Sequence, residues 1–355
     1  MKQVGIIGCG GIFEMHAVSL FLLDDVKIVA VCDIKQDRAK SKSEKYHCNF
    51  YTDYIEMFEW EHLDVVHICT PHYLHAEMSL EAIKRKIDVV CEKPMALTYS
   101  DAERVIREAE RNHVKYAVVF QNRYNPGSVL AYEELMKKEI GEIISVKIIV
   151  TWDRGMDYYN NSDWKGTIEK EGGGVIIDQA IHSIDLVRWL IPEKLHFVSA
   201  NCHNRLHSGI DVEDEAVGVF FLNDIPVDFY TVNYFTMDSP VEIVIHCTKG
   251  IIKILGDESI VSYNNGLEKE IRVTEEDYID FGEGAKEYWG TSHYKLIADY
   301  YNTDHAEEWN NRYHSSYLNT QVLIISIYES SKLSKPICFV GNIKIHDKTY
   351  DLTNA

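Results

Sequence analysis

The stretch GGGVIIDQAIHSID, residues 172–185, places three residues that can exchange protons in one short segment. Asp178 lies four residues before His182, and Asp185 lies three residues after it. On an α-helix these spacings put the three side chains on one stripe. A second stripe is apolar and predicts the buried side of the helix: Ile177, Ile181 and Ile184. The alternative is a helix N-terminus with favourably placed acids and a hydrogen-bonded histidine of no further function.

The composition is that of a globular protein with an acidic surface. The chain has 355 residues, of which 46% are hydrophobic and 26% charged, and its formal net charge is −20. Because single cores stop growing near roughly 250–300 residues, the length predicts two domains. The negative charge argues against nucleic acid, whose binding needs a basic footprint, and against anionic membranes.

The cysteines indicate a reducing compartment. None of the eight lies in a CxxC pair, and several fall inside apolar runs such as VAVCD and VVHICT. We therefore expect buried, reduced thiols and a cytoplasmic protein. The N-terminal run MKQVGIIGCGG does not read as a signal peptide, and no apolar run approaches the roughly 18 residues of a membrane span.

Two regimes of strand pattern divide the chain. Up to residue 122, short apolar strands such as QVGIIG and DVVHICT alternate with helical stretches, which predicts a doubly wound parallel sheet with helices on both faces. Beyond it, successive strands with short connections such as TKG and NNG predict a large, open-faced, mostly antiparallel sheet. We predict an α/β protein with one domain over 1–122 and an α+β domain over 123–355, which a final helix over about 315–333 closes.

The segment VGIIGCGGIFEMH has the order strand, glycine loop, helix that marks a dinucleotide fingerprint and a Rossmann domain. Gly8 and Gly10 stand where the turn must be tight and where the backbone must approach a pyrophosphate. Because N–H groups at the helix start face the phosphates, we predict that the cofactor-binding loop comprises Gly8, Cys9, Gly10, Gly11 and Ile12. Phe13 occupies the third glycine position, so the packing of helix on strand must differ there.

Asp33 ends the second strand, close to the roughly 20-residue offset expected of a ribose-binding acid. Its carboxylate can accept hydrogen bonds from a ribose diol and would repel a 2′-phosphate. The sequence therefore favours NAD over NADP, although Lys35 nearby would soften this preference.

Two further motifs follow strands of the first domain. Glu92 and Lys93 end an apolar strand, at the sheet edge where open α/β sheets bind ligands, and we expect both at the cofactor. The alternative is a solvated surface pair of little consequence. The motif CTPHYLH after the preceding strand adds four cofactor-binding candidates: Thr70, Pro71, His72 and His75. The HxxH spacing has no third ligand evident, so we predict no metal, with one histidine capping the next helix and one meeting the cofactor.

Five motifs occur in the order GIIGCGGI, CTPHYLH, CEKPMAL, FQNRYNP and GGGVIIDQAIHSIDL. Together they resemble the glucose-fructose oxidoreductase, inositol dehydrogenase and MocA (Gfo/Idh/MocA) family of NAD(P)-dependent oxidoreductases. The resemblance covers essentially the whole chain. Its specific parts are the EKP triplet and the glycine-rich segment that leads to His182.

The resemblance implies a role for each catalytic candidate. Lys93 and His182 would be the acid/base pair that flanks the substrate hydroxyl, and Asp178 would orient the sugar or His182. Trp164 and Lys165 match a pattern in which a Trp and a basic residue approach cofactor and substrate. Arginine is commoner at the second position, and lysine cannot form its bidentate contact.

The chemistry of proton transfer supports these roles independently of the family resemblance. Oxidation of a secondary alcohol needs a base for the hydroxyl proton while hydride leaves carbon, and a base works best with a pKa near the working pH. Histidine starts near that pKa, whereas lysine needs burial or a neighbouring positive charge. We assign His182 as the base and Lys93 as the group that polarises the oxygen; the reverse assignment stays open.

The sequence thus predicts an NAD-dependent dehydrogenase that acts on a sugar, sugar derivative or cyclitol. Polar residues suited to such a substrate are Lys93, Gln121, Arg123, Tyr158, Asp178 and His182. Two alternatives remain. One is redox-neutral glycoside chemistry by oxidation, elimination and re-reduction. The other is an NAD-responsive regulator without turnover. We also expect a homodimer or homotetramer through the second domain's sheet, because a sheet covered on one face leaves an apolar face to bury.

Overall fold

A computed structural model describes residues 1–282, 287–339, 342–345 and 348–351. The chain divides into two compact units. The first comprises Met1–Tyr124 and Thr274–His314, and the second comprises Asn125–Val273 and Ser315–Ala355.

The first unit contains a parallel sheet with the strand order β3-β2-β1-β4-β5-β6. Its strands are β1 (Lys2–Ile7), β2 (Val26–Cys32), β3 (Asn49–Tyr51), β4 (Val65–Ile68), β5 (Asp88–Cys91) and β6 (Tyr116–Val118). The connecting helices are α1 (Phe13–Phe21), α2 (Gln36–Tyr46), α3 (Tyr54–Trp60), α4 (His75–Lys84) and α5 (Tyr99–Asn112). This is the doubly wound Rossmann order, which confirms the predicted fold of the N-terminal part.

Local sequence explains why these elements form. Every residue of β4 is buried, as expected of a central parallel strand covered on both faces. Helix α5 begins at an N-cap, where the Thr98 side chain accepts a hydrogen bond from the Asp101 N–H at 3.1 Å. It ends at Asn112, and its C-cap residue His113 adopts the left-handed conformation.

The second unit is built on a nine-stranded sheet with the order β14-β13-β12-β11-β7-β10-β9-β8-β15. Its strands are β7 (Ile143–Thr151), β8 (Leu195–His203), β9 (Glu215–Leu222), β10 (Ile225–Val232), β11 (Glu242–Cys247), β12 (Gly250–Leu255), β13 (Glu258–Tyr263), β14 (Glu268–Ile271) and β15 (Ile337–Cys338). Strands β7 and β10 pair in parallel and the other neighbours pair antiparallel. The predicted α+β domain with a mostly antiparallel sheet is confirmed.

The helices of the second half are α6 (Pro126–Lys137), α7 (Met156–Asn160), α8 (Ile181–Leu190), α9 (Glu287–Asn302) and α10 (Ala306–Leu333). The final helix predicted over about 315–333 is therefore longer and begins at Ala306. Helix α9 has no counterpart in the sequence-based prediction. A last pair of antiparallel strands comprises β16 (Asn342–Ile345) and β17 (Lys348–Asp351).

Residues 274–314, which the sequence analysis placed in the second domain, pack with the first unit. The Lys115 ammonium donates to the carbonyls of Tyr300 at 2.8 Å and Thr303 at 2.6 Å. The Trp309 indole N–H donates to the Tyr116 carbonyl on β6 at 3.0 Å. These buried bonds join segments almost two hundred residues apart in sequence, so local patterns could not reveal them.

Among the residues that the structure describes, no helix combines the length and apolar character that crossing a membrane would require.

Candidate active site

The glycine loop between β1 and α1 requires glycine at one position and leaves open space at two. Gly8 has φ +95°, and a Cβ there would collide with the backbone carbonyl of Cys69. A Cβ at Gly10 or Gly11 would meet no atom of the described residues within 4 Å. The loop thus has room in front of it for a close approach, as the fingerprint predicts for a pyrophosphate.

Asp33 is tied to this loop. One carboxylate oxygen accepts a hydrogen bond from the Cys9 N–H at 2.9 Å, and the other accepts from the Lys35 N–H at 2.8 Å. The structure therefore brings together the loop and the acid that the sequence singled out separately.

Phe13 at the third fingerprint position is fully buried. Its ring meets the ring of Tyr46 on α2 edge-on, with 5.7 Å between centroids, and the Lys42 ammonium lies 5.2 Å from the Phe13 ring centre. Helix α2 thus supplies the local packing that replaces the usual glycine contact. Ile12, the residue before α1, provides no side-chain cap.

The motif after β4 forms a short 3₁₀ turn, His72–Leu74, that leads into α4 at His75. His75 is buried, and its ring nitrogens lie 2.8 Å from the Thr70 carbonyl and 2.7 Å from the Pro94 carbonyl. Both nitrogens therefore contact backbone, which leaves neither for the cofactor contact that the sequence analysis assigned. His75 fixes the end of β4 to the segment after Lys93; His72 is also buried.

Glu92, directly after β5, is buried at the centre of a polar cluster in the first unit. One carboxylate oxygen lies 3.0 Å from His16 Nε2 and 3.4 Å from His293 Nε2, and the other accepts from the Lys93 N–H at 3.2 Å. Burial raises the pKa of Glu92, but the hydrogen bonds from His16 and His293 outweigh it and hold this pKa well below its ordinary value. Lys93 therefore follows a buried, ionised carboxylate and is no solvated surface partner of it.

A chain of histidines continues from Glu92. His16 Nδ1 lies 2.8 Å from His67 Nδ1, and His67 Nε2 lies 3.1 Å from the Tyr301 hydroxyl. Burial lowers the pKa of both histidines, so neutral rings are favoured. Sequence reasoning missed this cluster. His16 falls just beyond the fingerprint, but nothing local connects it with Glu92 or His293.

Gln121 and Arg123, proposed for substrate binding, lie in a 3₁₀ turn of the first unit and are buried. The Arg123 guanidinium lies over the rings of Phe120 and Tyr313, at 5.3 and 5.8 Å from the ring centres. The Arg123 guanidinium thus makes cation–π contacts with two rings of the first unit.

The segment that opened the sequence analysis is not a continuous α-helix. Val175–Ala180 forms a π-helix, and α8 begins only at Ile181. Because a π-turn has more residues than an α-turn, the predicted stripe of Asp178, His182 and Asp185 is out of phase at its first member. Asp185 accepts a hydrogen bond from the Thr320 hydroxyl at 2.8 Å in the core, which is a structural role. Burial of the isoleucine stripe is confirmed: Ile177, Ile181 and Ile184.

Close packing accounts for the glycines before this π-helix. A Cβ at Gly173 would collide with the Tyr328 hydroxyl, and one at Gly174 with the Glu213 carbonyl. The buried Glu213 carboxylate accepts from the N–H groups of Gly174 at 2.8 Å and Ile176 at 3.0 Å, and from Tyr328 at 2.9 Å. The loop is thus fixed to the core of the second unit.

Asp178 gathers three donors on one carboxylate oxygen. These are the Lys165 ammonium at 2.7 Å, the Tyr158 hydroxyl at 2.5 Å and the Gln179 amide at 2.8 Å. Lys165 also donates to the Tyr158 hydroxyl at 2.5 Å, and its ammonium lies 4.6 Å from the Trp164 ring centre. The structure thus joins four residues that the sequence analysis assigned to cofactor and substrate: Tyr158, Trp164, Lys165 and Asp178.

Two further ionisable residues complete this cluster, and sequence reasoning missed both. Glu171 is buried, and one of its oxygens lies 3.8 Å from the Lys165 ammonium. Burial, with a contribution from the Asp178 charge, raises the pKa of Glu171 to about 8. Arg154 is also buried and pairs with Asp238 at 2.9 Å. Of these two residues, only Glu171 could have been suspected from the sequence, because it directly precedes the glycine run.

The comparison with known families decides the relationship. Residues 2–120 match the oxidoreductase family with an NAD-binding Rossmann fold, and residues 130–253 match the GFO/IDH/MocA C-terminal domain. The chain belongs to the Gfo/Idh/MocA oxidoreductase family.

Individual family members agree with this. A myo-inositol 2-dehydrogenase of Thermotoga maritima is 27% identical over 219 residues, which is 61% of this chain and 60% of the relative. An inositol 2-dehydrogenase of Rubrobacter xylanophilus is 30% identical over 197 residues, 55% of this chain and 54% of that protein. The matches thus span little more than half the length of these relatives.

Solved structures show the same fold. A levoglucosan dehydrogenase in complex with NADH and levoglucosan superposes with a TM-score of 0.80. The superposition covers 95% of this chain and 99% of that structure, at 21% sequence identity.

Proposed function

We propose that the protein is an NAD-dependent oxidoreductase that transfers hydride between the nicotinamide and a secondary hydroxyl of a sugar, sugar derivative or cyclitol. The observation that carries the proposal is the attachment of Asp33 to the glycine loop through the Cys9 N–H. It sets an acceptor for the ribose diol beside the open backbone at Gly10 and Gly11. A 2′-phosphate would place further negative charge against this carboxylate, so we propose that NAD is preferred over NADP.

Bound NAD⁺ would supply the hydride acceptor, and the chain's own residues would manage the proton. His182 takes the hydroxyl proton as hydride leaves the carbon, and Lys93 polarises the oxygen. The ionised Glu92 carboxylate accepts a hydrogen bond from the Lys93 backbone N–H and so positions Lys93. Asp178 is a positioning residue, because its carboxylate holds Lys165 and Tyr158 in place.

The test is spectrophotometric detection of NADH when the protein and NAD⁺ meet a panel of cyclitols, aldoses and glycosides. The proposal predicts net NADH with at least one panel member, and weaker activity with NADP⁺ than with NAD⁺. NAD⁺ binding without NADH from any member would contradict a simple dehydrogenase. Cleaved glycosides in the same mixtures would then identify redox-neutral chemistry.

We further propose that the protein forms a homodimer or homotetramer through the second unit's sheet. Ile149, Tyr230 and Val217 are register neighbours on β7, β10 and β9, and Tyr230 and Val217 are exposed. Such an apolar row on an exposed sheet face favours association. Sedimentation should show an oligomer at micromolar concentration, and charged substitutions at Val217 and Tyr230 should dissociate it.

The compartment is part of the same proposal. Five cysteines are buried: Cys9, Cys32, Cys69, Cys91 and Cys247. Buried thiols that serve as small apolar side chains suit the reducing cytoplasm.

A further inference from the structure

The ring of Tyr158 lies beside two cations of the second unit. The Lys165 ammonium is 4.3 Å and the Arg154 guanidinium carbon 5.7 Å from the ring centre. Lysine and arginine are the side chains that bind phosphates and carboxylates of substrates. Whether these two cations are available to a ligand therefore determines which substrates this region favours.

Lys165 is already neutralised within the unit. Its ammonium forms an ion pair with Asp178 at 2.7 Å and donates to the Tyr158 hydroxyl at 2.5 Å. A second carboxyl, that of Glu171, lies 3.8 Å away. Little of the Lys165 side chain is exposed, and that of Asp178 still less. A ligand anion at Lys165 would thus also lie close to a buried carboxylate.

Arg154 is neutralised in the same way. Its guanidinium donates to both oxygens of Asp238, at 2.9 and 3.1 Å, and to the carbonyl of Asp153 at 2.6 Å. The aromatic face of Trp152 lies 4.7 Å from the same guanidinium. The cation is therefore engaged by a carboxylate, a carbonyl and a ring before any substrate binds.

We call Tyr158, Arg154, Lys165, Asp178 and Asp238 the Tyr158 cluster; it contains two cations and two carboxylates. The raised pKa of Glu171 favours its neutral form near pH 7, so Glu171 adds no negative charge to the two cations and two carboxylates of the cluster. The cluster thus presents a hydroxyl group and paired charges to its surroundings, beside the amide of Gln179. Such groups suit hydrogen bonds with a polyol.

We propose that the Tyr158 cluster selects an uncharged polyhydroxylated substrate against its phosphorylated or carboxylated counterpart. This inference rests on the proposed function and names the class of its substrate. The selection is negative: an added anion must break an ion pair or approach the carboxylates of Asp178 and Asp238. The repulsion is stronger at Asp178, because that carboxylate is buried and less screened by water.

The experiment compares matched pairs with the protein saturated with NAD⁺. Suitable pairs are myo-inositol with a myo-inositol phosphate, and methyl glucoside with methyl glucuronide. We expect kcat/KM to be at least about tenfold higher for the neutral member of the pair that is turned over. Equal or faster turnover of the anionic member would overturn the inference while leaving the proposed function intact.

A variant separates the ion pairs from overall charge. Asp238→Asn removes the carboxylate that pairs with Arg154 but keeps the size of the side chain. It should lower the ratio of kcat/KM for the neutral substrate to kcat/KM for the anionic one by about threefold or more. Asp224→Asn, an exposed residue in the turn between β9 and β10, changes the net charge equally and serves as the matched control. An unchanged ratio in Asp238→Asn, or the same change in both variants, would count against the inference.

If no panel member yields NADH, the proposed function is contradicted, but the inference can still be tested by ligand binding. The thermal midpoint of the NADH-loaded protein is then measured with each member of the pairs. A larger upward shift with the neutral members supports the inference. An equal or larger shift with the anionic members, or no shift with any neutral member, overturns it.

Discussion

Each unit buries a carboxyl group beside residues of its candidate site, and the pKa values of these two groups shift in opposite directions. In the first unit, the imidazoles of His16 and His293 contact the Glu92 carboxylate, and the pKa of Glu92 falls well below its ordinary value. In the second unit, Glu171 is 3.8 Å from a lysine that Asp178 approaches to 2.7 Å, and the pKa of Glu171 rises to about 8.

The difference shows that burial alone does not set the charge of a carboxyl group. Burial is the largest influence on both and raises both pKa values. What differs is the neighbouring charge: the imidazoles of His16 and His293 stabilise ionised Glu92, whereas Glu171 shares the Lys165 ammonium with Asp178, whose negative charge raises the pKa of Glu171. We therefore expect Glu92 to be ionised and Glu171 to be protonated near neutral pH.

The largest effect on stability should come from breaking the Lys165–Asp178 pair. Asp178→Asn leaves a mostly buried ammonium without its strongest partner, and we expect a loss of about 2–4 kcal/mol in the free energy of unfolding. Gln179→Leu is the comparison, because it removes only a neutral amide donor from the same Asp178 oxygen and should cost roughly 1–2 kcal/mol. Denaturant titration of both variants measures the difference. Equal losses would mean that the ammonium draws no special stability from Asp178.

Glu92→Gln should have the next largest effect. The change removes the charged acceptor of two buried imidazoles, so we expect a loss of about 2–3 kcal/mol at neutral pH. The sign follows from the lowered pKa: the contribution of Glu92 is present above its ordinary value of 4.5 and is lost as pH falls through the lower, folded value. Wild type and variant should therefore converge in strong acid. A constant difference at every pH would contradict an ionised Glu92.

Glu171→Gln tests the opposite sign. The folded protein holds a proton on Glu171 that the unfolded chain releases near 4.5, so this stabilisation is complete below 4.5 and disappears as pH rises through about 8. The free energy of unfolding of wild type should fall relative to the variant across that window, by at most roughly 1.4 kcal/mol for each pH unit. Thermal unfolding at a series of pH values records it. Parallel curves for the two proteins would show that Glu171 is ionised throughout.

The smallest expected effect is that of metal removal. His16, Glu92 and His293 offer ligand atoms within 4.8 Å of one another, a set that resembles a zinc site. Because hydrogen bonds to the carboxylate already engage the imidazoles, we expect dialysis against a chelator to leave thermal stability and NAD⁺ binding unchanged. Elemental analysis showing stoichiometric zinc, together with a stability loss on chelation, would reassign the cluster.

The sequence predicted those parts of the fold and site that depend on short-range pattern. Apolar strands alternating with helices revealed the parallel sheet, and the spacing from Gly8 to Asp33 revealed a loop and an acid that do meet. The π-helix at Asp178 was not predicted, because it depends on Glu213 and Tyr328 holding the loop from elsewhere in the chain. Equally, no local pattern links residues 16, 92 and 293.

The most direct test of the central claim compares Lys93→Met and His182→Ala with wild type, using a substrate that the NAD⁺ panel identifies. NAD⁺ binding is measured separately by quenching of protein fluorescence. We expect His182→Ala to bind NAD⁺ almost as well as wild type while its kcat falls by about 10²–10⁴, and we expect Lys93→Met to lose turnover as well. NADH formation by either variant at the wild-type rate would contradict the acid/base pair, and with it the proposed chemistry.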